Sequence, residues 1–464
     1  MTASARKQGS RSRSAISGRS LAQAILLEVE NRAAYASDLL HTRLGGIGDA
    51  REAALTTELV MGALRWQRLL DFFIERSTGR KTSELDAEVL VALRLGIYQL
   101  RYLKRIPARA AVNESVELVR RGRKKSAMSL ANAALRRAAD ESDRPVTDFL
   151  SESTAPEEAL GTIHSHPTWL VKRWLSKFGK QKTIALLECN NQPPENACVV
   201  LSPEHRKDAL ESLHDEGFRV EAGRLLHNAI LVSGRNIAKT QAFRDGWVGI
   251  QDEASQIIPM LLGVRAGNSV LDLCAAPGGK TMLLANRAGK HGQVVAADLH
   301  ESRLRAVRKR LDKSSLANVY LVALDGTTRL PFTGAFDRIL ADAPCSGTGT
   351  LARNPEIRWR LKAEDLTDLH QRQVRLVCSA FEHLSPGGTL LYSTCSLESE
   401  ENESVVQEIL EVCTNVRRET VNIPQGALAA TASASELTGD DGAFRTFPPV
   451  YHTDGFFAAL LKRT

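Results

Sequence analysis

The chain has 464 residues, 43% hydrophobic and 25% charged, with 61 Lys and Arg against 54 Asp and Glu for a formal charge of +7. This is the composition of a soluble globular protein with about two to four domains, and no apolar run approaches the roughly 18 residues of a membrane helix. Seven scattered cysteines, an odd number, exclude a secreted disulfide framework. No CxxC pair or His/Cys cluster has zinc spacing, which excludes a structural metal. The expectation is a cytoplasmic monomer with neither a membrane nor a metal among its partners.

The charge is unevenly divided. Residues 1–150 hold 26 basic and 17 acidic side chains, an excess of nine, and the remaining residues hold 35 and 37. Such a basic face is either the footprint of a nucleic-acid partner or a solvated helix surface. Residues 1–19 carry Ser and Arg with no acid and no apolar signal core, and read as a disordered basic tail. Residues 20–142 read as an all-α domain. Leu21, Ile25 and Val29 recur at four-residue spacing, and Val112, Val116 and Val119 continue a helical apolar pattern. Gly45-Gly46-Ile47-Gly48 reads as a loop between helices. Basic residues gather at Arg101–Arg109 and at Arg120–Lys125, and the second cluster sits between helical stretches, within reach of a phosphate backbone.

Residues 143–165, acidic and polar with Pro145 and Pro156, read as a linker. His166-Pro167-Thr168-Trp169 then opens a helix carrying Lys172, Arg173 and Trp174. Over 166–246, apolar runs at Cys198–Leu201 and 229–233 flank a helical 205–216 segment and predict a small α/β module that contacts RNA. Over 247–464 strands alternate with helices. Strands are expected at Ser269–Cys274, Gln293–Asp298, Tyr320–Leu324, Phe336–Asp342 and Thr389–Thr394, with helices over 280–288, up to Leu311 and over 363–384. This rhythm predicts an α/β fold with a parallel, doubly wound, Rossmann-like sheet. Ligands of such sheets bind at the carboxyl ends of the strands, where the order reverses.

The loop Asp272-Leu273-Cys274-Ala275-Ala276-Pro277-Gly278-Gly279-Lys280-Thr281 joins the first of these strands to its helix. Small residues and two glycines let the backbone approach a ligand, and the helix start offers N–H groups to an anion. A phosphate-binding P-loop needs glycine where Cys274 stands, and a Gly-x-Gly-x-x-Gly fingerprint is missing. A shorter loop suits the carboxylate of S-adenosylmethionine. Asp298, at the end of the second strand, is placed for ribose hydroxyls, and Asp325, after the third, for the adenine end. Asp342 ends the fourth. The candidate cofactor set is thus Cys274, Ala275, Ala276, Pro277, Gly278, Gly279, Lys280, Asp298, Asp325 and Asp342. One such acid alone would read as a helix cap or turn residue, but three in register with the glycine loop point to the cofactor. Lys280 is placed to orient the donor's carboxylate or Asp342, with a helix-start surface lysine as the alternative.

Two cysteines stand at strand ends, in Asp342-Ala343-Pro344-Cys345-Ser346 and in Ser393-Thr394-Cys395-Ser396. A redox pair without a CxxC context, a metal site and covalent catalysis on a pyrimidine compete for them. C5 of cytosine is a poor nucleophile. Addition of a thiolate to C6 makes the ring enamine-like, so that C5 attacks a methyl sulfonium. A carboxyl group near N3 stabilises the adduct, and a base then takes the C5 proton. Asp342, Cys345 and Cys395 are suitable groups, and the chemistry leaves open which thiol attacks. Cys189, Cys198, Cys378 and Cys413 read as small hydrophobes.

Both cysteine motifs, the Leu273–Thr281 loop, Gln251-Asp252-Glu253-Ala254-Ser255 and Thr453-Asp454-Gly455-Phe456-Phe457 resemble RNA (cytosine-5) methyltransferases of the RsmB/Sun (Fmu) type, over about residues 245–464. The resemblance implies Cys395 as nucleophile, Cys345 in release of the methylated product and S-adenosylmethionine as methyl donor. Pro107–Leu118 and Asn132-Ala133-Ala134-Leu135-Arg136 resemble a NusB-like RNA-binding domain, a fusion that implies small-subunit (16S) ribosomal RNA as substrate and partner. Transfer RNA or large-subunit RNA, DNA, and a non-catalytic role in ribosome assembly are the alternatives. The Ala/Ser/Thr-rich 423–442 stretch and the N-terminal extension carry no assignable function.

Overall fold

The computed structural model describes residues 17–464 apart from 33, 202 and 235. The chain divides into two compact units, one running through Lys177 and taking in Asn354–Glu356, the other comprising Phe178–Arg353 and Ile357–Thr464.

The first unit is helical. Among the described residues six helices between Gly18 and Asp140 pack into one bundle with a seventh, Ala87–Tyr102, whose Val91 to Leu100 are all buried. The four-residue spacing at Leu21, Ile25 and Val29 is the buried stripe of the first helix, and Val112 and Val119 bury the corresponding face of Ala108–Arg121. Residues 1–16 of the expected tail lie outside the described residues, and Gly18 already opens a helix. The 143–165 stretch is ordered rather than an extended linker. It holds a turn at Val146–Phe149 and the helix Pro156–Ile163, and Arg68 ties it down through Glu158, the His166 carbonyl at 2.6 Å and Thr168 Oγ1 at 2.9 Å. Proline at the helix start and Glu157 and Glu158 in its first turn favour that helix locally.

The second unit holds two sheets. The smaller contains β1 (Asn196–Val200), β2 (Arg219–Ala222), β3 (Ile230–Ser233) and β4 (Val248–Ile250), in the order β2-β3-β1-β4, all antiparallel. β4 pairs with β1 through Val200 and Val248, so this sheet runs past the expected boundary at residue 246. The helix Arg206–Asp215 buries Ala209 and Leu213 in its core.

The larger sheet contains β5 (Ser269–Asp272), β6 (Gln293–Asp298), β7 (Val319–Ala323), β8 (Phe336–Asp342), β9 (Leu384–Thr394), β10 (Val416–Glu419), β11 (Phe444–Arg445) and β12 (Phe457–Arg463). The order is β10-β12-β9-β8-β5-β6-β7, with β11 on β12. β5 to β9 are parallel, but β12 runs antiparallel to β9, and β10 and β11 antiparallel to β12, so the sheet is mixed rather than wholly parallel. Alternate residues enter cores on opposite faces: Val270, Leu340, Leu391 and Leu460 on one, Leu271, Ile339, Leu390 and Leu461 on the other. Burial on both faces explains the continuous apolar runs. The order reverses between β5 and β8, which brings together the ends of the strands carrying the loop and Asp342.

Candidate active site

The loop after β5 turns sharply. Gly278 adopts φ +97°, Gly278 N donates to the Ala275 carbonyl at 2.7 Å, and a Cβ there would lie 3.0 Å from Val307. Glycine is needed both for the left-handed backbone and for the packing. The helix Gly279–Ala288 follows, and its opening turn has N–H groups without intrahelical partners. Asp298 closes the loop from β6. Its carboxylate accepts from Ala276 N at 3.3 Å and His300 N at 3.1 Å, and Arg303 lies 3.5 Å away. Cys274 lies among Asp342, Asp272 and Asp298, and burial first, then these acids, hold its thiol well above the usual range. Asp325 is the exception among the expected acids: it is exposed and accepts from Thr327 N and Oγ1 at 2.9 and 2.7 Å, capping its own turn.

Lys280, on the first turn of that helix, donates to Asp342 Oδ2, and Ser393 Oγ donates to Oδ1 at 2.7 Å. The second bond follows from register, since Asp342 and Ser393 are partners across β8 and β9. The Lys280 ammonium also lies 4.9 Å from the centroid of Phe456. Lys280 is therefore built into the site rather than a surface lysine.

Asp272, which the sequence reading left without a role, is 1% exposed beneath the loop. Oδ2 accepts from Thr281 Oγ1 at 2.6 Å, whereas Oδ1 is buried without a partner among the described residues. Burial pushes this carboxyl up to about 7, against the pull of the Thr281 hydroxyl. A buried polar oxygen lacking a donor costs about 1–3 kcal/mol.

The two cysteines meet beyond β8 and β9. Cys345 Sγ and Cys395 Sγ lie 3.3 Å apart, and both residues are half-buried. The hydrogen bond with Cys395, with burial second, holds the Cys345 thiol well above the usual range. Gly349 N donates to the Cys395 carbonyl at 2.9 Å, and a Cβ on Gly349 would lie 2.2 Å from the Gly455 carbonyl oxygen. Arg353 joins the two flanking motifs, reaching Asp252 at 2.7 Å and Asp454 at 2.9 Å. Of the remaining cysteines, Cys198 is fully buried, Cys189 is half-buried, and Cys378 and Cys413 lie 3.0 Å apart beside the core.

In the helical unit the basic clusters are partly spent internally. Arg101 covers the Phe73 ring at 4.1 Å and donates to the Arg144 carbonyl, and Lys104 pairs with Asp143. Arg120 and Arg121 share Glu117, and Lys124 pairs with Asp86. Arg105, Arg109, Arg123 and Lys125 are exposed and form no ion pair among the described residues. Among those residues no group of His, Cys, Asp and Glu is arranged to hold a metal ion, and no helix is long and apolar enough to cross a membrane.

Comparison with known proteins agrees with this architecture. Residues 259–462 match the family described as 16S rRNA methyltransferase RsmB/F, residues 17–140 the NusB family, and residues 166–237 the ferredoxin-like domain of RsmF/B-like methyltransferases. The probable ribosomal RNA small subunit methyltransferase B of Bacillus subtilis (strain 168) is 30% identical over 453 residues, 96% of this chain and 98% of its own. Ribosomal RNA small subunit methyltransferase B of Pseudomonas putida is 36% identical over 367 residues, 78% of this chain and 82% of its own. The crystal structure of PH0851 superposes with a TM-score of 0.81 at 23% identity, covering 96% of this chain and 98% of that one, and shares the fold. S-adenosylmethionine, expected from the Leu273–Thr281 loop, is the cofactor that accompanies this family and fold. The chain belongs to the RsmB/F family of 16S ribosomal RNA methyltransferases.

Proposed function

We propose that the protein methylates C5 of a cytosine in 16S ribosomal RNA, with Cys395 forming a covalent bond to C6. The observation that carries this reading is the 3.3 Å approach of the Cys345 and Cys395 sulfurs, at the ends of neighbouring parallel strands and next to Asp342. In the part of the chain that matches the methyltransferase family, that arrangement suits nucleophilic attack and proton removal at one base.

Bound S-adenosylmethionine supplies an electrophilic methyl group. Asp272, Asp298 and the Gly278–Lys280 turn are the residues we assign to holding it, the unpartnered Asp272 Oδ1 accepting from its ammonium. Cys395 attacks as the thiolate, its proton released to solvent, and a carbon–sulfur bond forms as the C5–C6 electron pair moves onto C5. Asp342, oriented by Lys280 and Ser393, faces N3 and stabilises the adduct. In one concerted elimination, after C5 has taken the methyl group, the carbon–sulfur bond breaks, the departing Cys395 Sγ takes the proton of Cys345, and the Cys345 thiolate so formed takes the C5 proton. Both thiols are restored. The target base must be unstacked for both of its faces to be reached. The substrate class puts the protein in the cytoplasm.

The reading is tested with 16S RNA containing 5-fluorocytosine, which traps the adduct because no C5 proton can leave. Cys395→Ala is expected to abolish the adduct. Its persistence in Cys395→Ala together with its loss in Cys345→Ala would reverse the two thiols. Bisulfite sequencing of ribosomal RNA from a deletion strain identifies the nucleotide, and equal transfer to DNA and RNA oligonucleotides would refute the substrate class.

A further inference from the structure

One buried carboxylate touches both cysteine motifs and has no part in the steps above. Glu401 stands six residues beyond Cys395, in the turn Ser399–Glu401, and is fully buried. Its Oε1 accepts from Ser346 N at 2.7 Å and from Gln373 Nε2 at 3.0 Å. Its Oε2 accepts from the hydroxyls of Ser346 and Ser396, the latter at 2.5 Å. Ser346 follows Cys345 and Ser396 follows Cys395, so one carboxylate grips the residue after each thiol. The two serine hydroxyls lie 3.1 Å apart, and Gln373 also donates to the carbonyl of Pro344, the residue before Cys345, at 2.9 Å.

A buried carboxylate usually has a cation beside it, yet no basic side chain forms an ion pair with Glu401 among the described residues. Four donors stabilise it instead, and three of them come from the two serines. The main chain at Glu401 is fixed as well, because its carbonyl accepts from the hydroxyl of the buried Tyr392 at 2.6 Å. The thiol loops leave separate strands, β8 and β9, and ladder bonds end at Thr394, so the sheet alone does not set the spacing of the sulfurs beyond it. Besides the bond from Gly349 N to the Cys395 carbonyl, Glu401 is an acceptor bonded to both loops.

We propose that Glu401 is a positioning residue, whose carboxylate, by binding Ser346 and Ser396, sets the separation of the Cys345 and Cys395 sulfurs for attack and release. The proposal rests on the reading of the two thiols given above. It predicts different failures for the two struts. Loss of the Ser396 hydroxyl misplaces the attacking sulfur, and loss of the Ser346 hydroxyl misplaces the sulfur that assists release.

The experiment uses the full-length protein with 16S RNA transcripts. Ser396→Ala is expected to slow adduct formation on 5-fluorocytosine RNA roughly tenfold. Ser346→Ala is expected to keep that rate within about threefold while adduct accumulates on ordinary cytosine RNA, seen on a denaturing gel. Glu401→Ala combines both defects and lowers kcat with KM within about threefold, and Glu401→Gln, which keeps an acceptor for the Ser346 amide, recovers part of the loss. If Glu401→Ala does not fold, the serine variants decide alone. Serine variants with parental Tm and cofactor Kd that stay within about twofold in both adduct formation and release overturn the proposal. So do variants that lose both to the same extent. Cys395→Ala runs in parallel: an adduct persisting there overturns the thiol assignment and the proposal with it. Its loss there, with unaffected serine variants, overturns the role of Glu401 alone.

Discussion

Lys280 and Asp342 are 62 positions apart, yet the ammonium of one rests on the carboxylate of the other and joins the start of the cofactor-loop helix to the end of β8. The side chains are 12% and 25% exposed, so the pair is shielded enough for its loss to be felt. The same bond links the expected cofactor pocket to the group assigned to N3 of the target base. Lys280→Met, which keeps an unbranched side chain and removes the charge, is expected to lower single-turnover methyl transfer by roughly 10- to 100-fold. Transfer at the parental rate would detach Lys280 from Asp342's role.

Asp272 gives the protein a pH dependence of defined sign. Its folded carboxyl is raised to about 7, whereas the unfolded one titrates near about 4. Between these values the folded state holds a proton that the unfolded state has lost. Stability from this group is therefore complete below about pH 4, falls by about 1.4 kcal/mol per pH unit as pH rises to about 7, and is constant above. Asp272→Asn removes this slope. In urea unfolding without cofactor, the variant is expected to gain on the parent by about 3 kcal/mol between about pH 5 and about pH 8. Parallel curves would mean the proton is held elsewhere.

The helical unit separates docking charges from structural ones. Arg123 and Lys125 are exposed and without ion pairs among the described residues, while Arg101 is packed on Phe73. Replacing Arg123 and Lys125 by Ala is expected to reduce the slope of log K for RNA against log salt by about 1.4 to 1.8, with cofactor affinity unchanged. Arg101→Ala is expected to lower Tm and leave the slope alone. An unchanged slope in the double variant would make the cluster a solvated helix surface.

Gly349 tests how tightly the Cys395 loop is seated. Its Cβ would fall 2.2 Å from the Gly455 carbonyl oxygen, backbone against backbone, where no side chain can swing away. Gly349→Ala is expected to cost about 1–3 kcal/mol of stability and to slow adduct formation, since Gly349 N holds the Cys395 carbonyl. An adduct rate equal to the parent's would show that the loop tolerates the shift.

Sequence periodicity by itself determined the helical first unit and most of the parallel strands. Gln293–Asp298 and Phe336–Asp342 occur with the expected bounds because strands covered on both faces carry unbroken apolar runs, here Val294–Ala297 and Ile339–Ala341. The loop at 272–281 and the two cysteine motifs were equally legible, since local backbone and thiol chemistry restrict them to few residue types. The antiparallel β10, β11 and β12 were not, because Val416–Glu419 is short and charged and pairing partners lie far along the chain. Nor did sequence distinguish Arg101, packed on Phe73, from Arg123, which is exposed. Asp272 and Glu401 look like ordinary acids in the sequence. Only the tertiary structure, by removing both from water and placing one beneath the loop and the other between Ser346 and Ser396, decided their significance. Burial and hydrogen bonding across distant strands are not encoded in local spacing.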